Sequence, residues 1–146
     1  MAGRGVSESA KETSVEVRVR YGETDQMGVA YHAHYLVWCE LARTEHMRRL
    51  GVRYRDLEER GFKLAVAEAS LRYARSARYD DLLRITAWLA EVGSRRVLFR
   101  YRVERPEDGA LLCTAETALV SLDRTNRPVR LPADTLTIME SLVADA

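Results

Sequence analysis

The residues best suited to chemistry lie in one short stretch of the chain, from Tyr21 to Glu40. The stretch contains Asp25 in a polar turn, and two of the three histidines, His32 and His34, follow that turn. A carboxylate can act as a nucleophile, or as a general base for a water molecule. This stretch is therefore the candidate site of any reaction that the protein catalyses.

A helix is predicted to begin at about His32, directly after the turn. Apolar residues continue at helical spacing to Leu50, and Gly51 is a good stop signal. The first N–H groups of a helix have no partner within it and carry the positive end of its dipole. They can hold an oxyanion or polarise a carbonyl group. A turn containing Gly28 can bring the Asp25 carboxylate back over this helix start.

A lone carboxylate beside a polarised carbonyl group suits one class of acyl substrate better than others. A thiol leaving group has a pKa of ~8.5, against about 15.7 for water. It can leave as a thiolate with little help from a general acid, whereas an amide needs a strong proton donor. The residues therefore favour a thioester, with His32 or Tyr21 orienting the substrate or the water.

The same residues also allow structural interpretations, and the pattern alone leaves both open. An Asp in a turn that contains Gly commonly accepts a backbone hydrogen bond, as an Asx-turn or an N-cap. His32 and His34 flank Ala33, which is not the spacing of a helical zinc pair, so no metal site is predicted. Glu23 is expected to be solvated, and His46 is expected on the surface.

One strand before this stretch and four strands after it are predicted to position it. Alternating residues indicate a strand at residues 15–21. The four later strands are predicted as a meander at residues 64–73, 82–92, 97–103 and 110–122. One long helix against five strands makes an α+β domain with the sheet wrapped around the helix. Such a sheet leaves exposed edges, and pairing two sheets edge to edge predicts a homodimer.

Composition and charge restrict the class of protein. The 146 residues are 47% hydrophobic and 31% charged, which fits one globular domain. Because the formal net charge is only +1, no nucleic-acid partner is predicted. The sequence contains no run of 18 apolar residues, so no membrane span is predicted either. Residues 1–14 are predicted to be a disordered tail without a signal peptide. Cys39 and Cys113 are expected to be buried thiols, which suits a cytoplasmic protein.

The segment YGETDQMGVAYHAHY resembles the signature of the 4-hydroxybenzoyl-CoA thioesterase family, most closely its YbgC-like acyl-CoA thioesterase branch. The matching positions are Tyr21, Thr24, Asp25, Gly28, Val29, Tyr31, His32 and Tyr35. The likeness covers about residues 15–132. It implies the hotdog fold, in which a five-stranded antiparallel sheet wraps around one long central helix. Residues 133–146 are predicted to form a short C-terminal helix or tail.

The resemblance also implies roles for individual residues. Asp25 matches the catalytic carboxylate of the family, and Tyr21 and His32 match other active-site residues. The backbone N–H near His32 matches the group that polarises the thioester carbonyl. The candidate substrate-binding residues are Gly28, Tyr31, Tyr35, Ser94, Arg95 and Arg96, of which the last three are candidates for the coenzyme A phosphates.

The expected function is hydrolysis of an acyl-CoA thioester to a carboxylic acid and coenzyme A, with no metal or other cofactor. The resemblance implies homodimers or homotetramers with active sites at the dimer interface. Two alternatives remain open: a non-catalytic module that binds acyl thioesters, and an acyl-carrier-protein thioesterase. The residues do not choose between aliphatic and aromatic acyl groups, since Tyr35, Trp38, Val66 and Tyr73 could line either pocket.

Overall fold

Five antiparallel strands and three α-helices make up residues 8–144, the part of the chain that the computed structural model describes. The strands are β1 (Glu12–Arg18), β2 (Lys63–Tyr73), β3 (Leu82–Val92), β4 (Arg96–Arg105) and β5 (Ala110–Leu122). The helices are α1 (His34–Arg49), α2 (Tyr54–Glu59) and α3 (Ala133–Glu140). The predicted α+β arrangement of one long helix and five strands is confirmed. None of these helices is long and apolar enough to cross a membrane.

The order of the strands across the sheet is β1-β3-β4-β5-β2. The predicted meander is therefore wrong for β2, which pairs with β5 from Lys63↔Leu122 to Tyr73↔Cys113. The position beside β3 is taken by β1, which begins with the pair Glu12↔Trp88. Local alternation identifies a strand but carries no information about its neighbour, and both of these pairings join distant parts of the chain. As a result β2 is an edge strand.

The core lies between α1 and one face of the sheet. Alternate residues of β4 are buried there, as the pattern predicts: Val97, Phe99, Tyr101 and Val103. The helix contributes Tyr35, Trp38, Cys39, Ala42 and Met47. On the outer side of α1, by contrast, Leu36, Val37 and Leu41 are exposed. In the single chain, α1 therefore has an uncovered apolar face.

The first strand begins earlier than the sequence predicts. Residues 8–14 were assigned to a disordered tail, but Glu8–Lys11 form a 3-10 turn and β1 starts at Glu12. Polar residues form this part of the strand because their hydroxyls have partners: Ser14 Oγ lies 2.8 Å from Thr86 Oγ1, and Thr13 is buried. The rest of the predicted tail, residues 1–7, lies outside the described residues.

His46 is fully buried, which corrects the prediction of a surface residue. Its Nδ1 lies 2.7 Å from Thr13 Oγ1, and its ring packs edge-on against Phe99. Burial and, to a smaller extent, the nearby charge of Arg49 lower the pKa of His46 to about 4, against the opposing effect of the charge of Glu12. The folded protein therefore holds this imidazole in its neutral form.

Burial of neutral His46 predicts that the free energy of unfolding falls in mild acid. The unfolded chain takes up a proton below about pH 6.5, whereas the folded chain resists it down to about pH 4. The contribution of His46 to the free energy of unfolding is therefore fully present above about pH 6.5 and is lost as the pH falls toward about pH 4. The loss is about 3 kcal/mol at most. Urea unfolding of wild type and His46→Gln at about pH 7 and about pH 4.5 measures the difference. Equal losses in the two proteins would contradict this assignment.

Candidate active site

Asp25 opens a tight hairpin that returns the chain toward α1. The Asp25 N–H donates to Val29 O at 2.9 Å, and the Gly28 N–H donates to Asp25 O at 3.0 Å. Gly28 has a φ of +79°, the left-handed conformation that closes a three-residue turn of this kind. Thr24 pairs with Ala30 across the hairpin. The turn that the sequence predicts around Gly28 is confirmed.

The two oxygens of the Asp25 carboxylate have different surroundings. Oδ1 accepts a hydrogen bond from the Met27 N–H at 2.9 Å, which makes the Asx-turn of the structural interpretation. Oδ2 accepts no hydrogen bond from any other residue between 8 and 144, and the side chain is half-buried. One oxygen therefore fixes the side chain, and the other remains available to a substrate or a water molecule.

Glu23 connects the hairpin to the helix, so the prediction that it is solvated is wrong. Its Oε1 accepts from the Arg20 N–H at 2.7 Å, and its Oε2 accepts from Trp38 Nε1–H at 3.1 Å. Its backbone oxygen accepts from the Tyr31 N–H at 2.8 Å. Burial alone would raise the pKa of Glu23, but the hydrogen bonds from Arg20 and Trp38 outweigh burial and lower it. Glu23 therefore holds a buried negative charge that fixes the hairpin against α1.

Replacing Glu23 with Ala is expected to reduce the free energy of unfolding by about 3 kcal/mol, because the buried Trp38 indole N–H and the partly buried Arg20 N–H lose a charged acceptor. The matched control is Glu116→Ala, which removes an exposed carboxylate 3.2 Å from Arg100 Nε and should cost under about 1 kcal/mol. Urea unfolding near neutral pH measures both variants. Equal costs would show that Glu23 contributes no more than a surface ion pair.

Helix α1 begins at His34, two residues later than predicted. Residues 31–33 form a turn, in which the His34 N–H donates to Tyr31 O at 3.0 Å. The N-cap residue is Ala33, whose side chain cannot cap the helix, and the first turn contains no acidic residue. The N–H groups of His32 and Ala33 donate to no acceptor in the described part of the chain. The positive end of α1 is therefore uncapped beside the Asp25 hairpin.

Aromatic rings surround the helix start. The exposed imidazole of His32 lies 4.5 Å from the ring of Tyr31 and 6.3 Å from the ring of Tyr73, measured between centroids. The Tyr73 hydroxyl donates to the backbone oxygen of His32 at 3.0 Å. This last contact was not foreseen, because it joins the end of β2 to a residue 41 positions away. Among residues 8–144, His32 and His34 belong to no group of three or more His, Cys, Asp or Glu side chains that could hold a metal ion.

Tyr21 and Tyr35 differ sharply in their surroundings. The Tyr21 side chain is 78% exposed, and its ring packs edge-on against Tyr79 at 5.7 Å. No hydrogen bond or ring contact joins it to Asp25 or His32 in the residues that the structure covers. Tyr35 is only 2% exposed, and its hydroxyl accepts from the Ala77 N–H at 2.9 Å. Tyr35 therefore packs against Tyr73, whose ring lies 5.1 Å away, and its role in substrate binding stays a prediction.

The turn that contains Ser94, Arg95 and Arg96 lies at the end of the sheet that is opposite to the Asp25 hairpin. Their turn joins β3 to β4 and is held by backbone hydrogen bonds from Ser121 to Arg95 O and from Leu131 to Ser94 O. The Leu131 bond places Arg130 beside this turn, a basic residue that the sequence did not single out. Arg95 and Arg130 are exposed, and Arg96 pairs with Glu68 at 3.4 Å. A single chain therefore does not bring this basic group to the Asp25 hairpin.

Comparisons with known proteins extend over nearly all of this structure. Residues 19–139 match the family model described as the thioesterase-like superfamily. The acyl-CoA thioesterase YbgC of Haemophilus influenzae is 36% identical over 122 residues, which are 83% of this chain and 89% of that protein. The crystal structure of DHNA-CoA thioesterase from Staphylococcus aureus superimposes with a TM-score of 0.82 at 30% identity. That alignment covers 89% of this chain and 87% of the staphylococcal chain.

A second solved structure supports the same placement. Hypothetical protein TT1821 from Thermus thermophilus superimposes with a TM-score of 0.84 at 38% identity. The alignment covers 89% of this chain and 98% of the Thermus chain. The similarity therefore includes both the sheet and the segment from the Asp25 hairpin to α1.

Proposed function

The chain belongs to the thioesterase-like superfamily and has its hotdog fold, and from this premise we propose that it hydrolyses acyl-CoA thioesters at the Asp25 hairpin. One observation carries the proposal. Within residues 8–144, the hairpin presents a carboxylate oxygen that accepts no hydrogen bond, and it lies directly before a helix start at which the N–H groups of His32 and Ala33 have no acceptor. The single carboxylate and the dipole of α1 are the two components that thioester hydrolysis needs.

The reaction divides between these two components. The uncapped N–H groups of His32 and Ala33 bind the thioester oxygen and stabilise the negative charge that develops on it. Asp25 either attacks the carbonyl carbon itself or takes a proton from a water molecule that attacks it. The carbon–sulfur bond then breaks, and coenzyme A leaves as a thiolate. On the nucleophilic route water hydrolyses the acyl anhydride formed on Asp25, and on the general-base route the proton held by Asp25 passes to the thiolate. Both routes yield the carboxylic acid and coenzyme A. His32 is exposed beside the carbonyl position and orients the acyl group or the water.

A homodimer would complete the site. β2 is an edge strand of eleven residues, most of them exposed, and an unpaired edge of this length readily pairs with another strand. At about 3.3 Å per residue its ends lie about 33 Å apart. The Tyr73 end touches the His32 helix start, and the Lys63 end lies beside the Ser94–Arg96 turn through β5. A two-fold axis through antiparallel β2 strands places the turn of one chain near the hairpin of the other.

This pairing gives the basic residues a function. Arg95, Arg96 and Arg130 from one subunit would then face the coenzyme A of the active site in the other. Arginine binds phosphate groups well because its planar guanidinium can donate two parallel hydrogen bonds. We assign these three residues, with Ser94, to the phosphate end of coenzyme A. Gly28, Tyr31 and Tyr73 belong to the acyl end.

The proposed cellular location is the cytoplasm. Its support is that Cys39 and Cys113 are both buried free thiols, as expected in a reducing compartment.

The test of this function is thiol release from a panel of short, medium, long and aromatic acyl-CoAs, with a carrier-protein thioester in competition. The proposal predicts catalytic release from at least one acyl-CoA, and preference for the coenzyme A form. Saturable binding of acyl-CoA without thiol release would favour a non-catalytic binding module. Faster turnover of the carrier-linked acyl group would favour an acyl-carrier-protein thioesterase.

A further inference from the structure

Tyr73 occupies a position that links the edge strand to the start of α1. It is the last residue of β2, and its hydroxyl donates to the backbone oxygen of His32 at 3.0 Å. Its ring lies edge-on to Tyr35 at 5.1 Å and to His32 at 6.3 Å between centroids. Tyr35 is itself fixed by the Ala77 N–H. The direction of the Tyr73 hydroxyl is therefore set by its neighbours.

The oxygen that Tyr73 binds belongs to the same peptide unit as the Ala33 N–H. In a trans peptide the C=O and N–H bonds point in opposite directions, and the unit rotates as one plane. Holding His32 O toward Tyr73 therefore turns the Ala33 N–H away from β2. That N–H has no acceptor in the part of the chain that the structure describes. The hydroxyl of Tyr73 fixes the direction of the donor that the proposed mechanism uses.

Two hydrogen bonds hold this peptide: the turn bond from the His34 N–H to Tyr31 O, which spans it, and the bond from the Tyr73 hydroxyl, which acts on its oxygen directly. The N-cap side chain is the methyl group of Ala33, which cannot hydrogen-bond to the helix start. A hydrogen bond accepted by a peptide oxygen also polarises the peptide and strengthens its N–H as a donor. Tyr73 thus both orients the Ala33 N–H and makes it a better donor.

We propose that Tyr73 is a positioning residue for thioester hydrolysis, which holds the His32–Ala33 peptide so that the Ala33 N–H meets the thioester oxygen in the transition state. This role rests on the proposed thioesterase function. It also gives β2 a second part in the reaction, because the strand that forms the dimer edge ends in the residue that orients the oxyanion donor.

The test is Tyr73→Phe, which keeps the ring and its packing and removes only the hydroxyl. Loss of an oxyanion donor itself costs about 10²-fold or more in kcat, so loss of its orientation should cost less, about tenfold. KM should change by under about twofold, since the ground-state carbonyl binds this donor weakly. The matched control is Tyr54→Phe, which removes a hydroxyl that accepts from Arg43 Nε at 3.0 Å rather than one bound to the His32–Ala33 peptide, and which should retain wild-type kcat.

A spectroscopic measurement separates orientation from a merely structural role. The carbonyl stretching frequency of a 13C-labelled acyl-CoA is recorded when bound to Asp25→Asn, with and without Tyr73→Phe. We expect the band to lie at lower frequency when Tyr73 is present, because the donor polarises the carbonyl. If the wild type hydrolyses acyl-CoA and Tyr73→Phe leaves both kcat and the carbonyl frequency unchanged, the inference is overturned. A wild type that releases no thiol from any acyl-CoA would instead overturn the proposed function.

Discussion

Asp25→Asn is expected to lower kcat for acyl-CoA hydrolysis by about 10³-fold while leaving the fold and substrate binding intact. The amide oxygen of Asn can still accept the Met27 N–H that Asp25 Oδ1 accepts at 2.9 Å. The hairpin therefore keeps its Asx-turn, and only the negative charge and its basicity are lost. Steady-state thiol release gives kcat and KM, and urea unfolding checks that stability is retained.

The two roles of Asp25 can be separated by a second substitution. Asp25→Ala removes the Asx-turn as well as the charge, so it should lose stability and perturb KM in addition to kcat. Asp25→Asn with wild-type kcat would show that the residue serves only the turn. The hairpin would then have only a structural role, and the proposed mechanism would lack its reacting group.

Disrupting the β2 edge is expected to have the second-largest effect, because the dimer brings the basic turn to the Asp25 hairpin. Val66 is half exposed on β2, and Val66→Lys introduces the same charge on both strands of the proposed pair. We expect a monomer at micromolar concentration, with kcat/KM lowered by about 10²-fold. Light scattering and thiol release, each measured over a range of protein concentrations, test this.

The matched control for the edge is Leu111→Lys. Leu111 is exposed to a similar degree, 44% against 50% for Val66, but it lies on β5 inside the sheet order. This variant should keep the mass and the kcat/KM of the wild type. A monomeric Val66→Lys with full activity would show that one chain contains a complete site. A Val66→Lys variant that remains dimeric would place the interface elsewhere.

The sequence predicts well what depends on near neighbours. The predicted bounds of β3 and β5, residues 82–92 and 110–122, agree with the structure, and Gly28 correctly marks the turn that places Asp25 before the helix. The start of α1 is predicted two residues early, because the apolar pattern continues through a turn and Ala33 gives no capping signal. Helical periodicity alone cannot distinguish such a turn from the first turn of a helix.

The sequence fails where distant residues decide the outcome. His46 is predicted on the surface because it lies in the polar end of the helix, and its partner Thr13 lies in a segment that is predicted to be disordered. Glu23 appeared solvated because the donor that requires it, Trp38 Nε1–H, lies 15 positions away. The place of β2 at the edge follows from its pairing with β5. Each of these contacts joins residues whose approach only the complete fold establishes.

The most direct test of the central claim is a single-turnover experiment with the enzyme in excess over one acyl-CoA. The free thiol and the intact thioester are both measured after mixing with wild type and with Asp25→Asn. The proposed function predicts one thiol released for each acyl-CoA bound to wild type, and intact thioester bound to Asp25→Asn. Intact thioester recovered from both proteins, or equally fast thiol release by both, would contradict it.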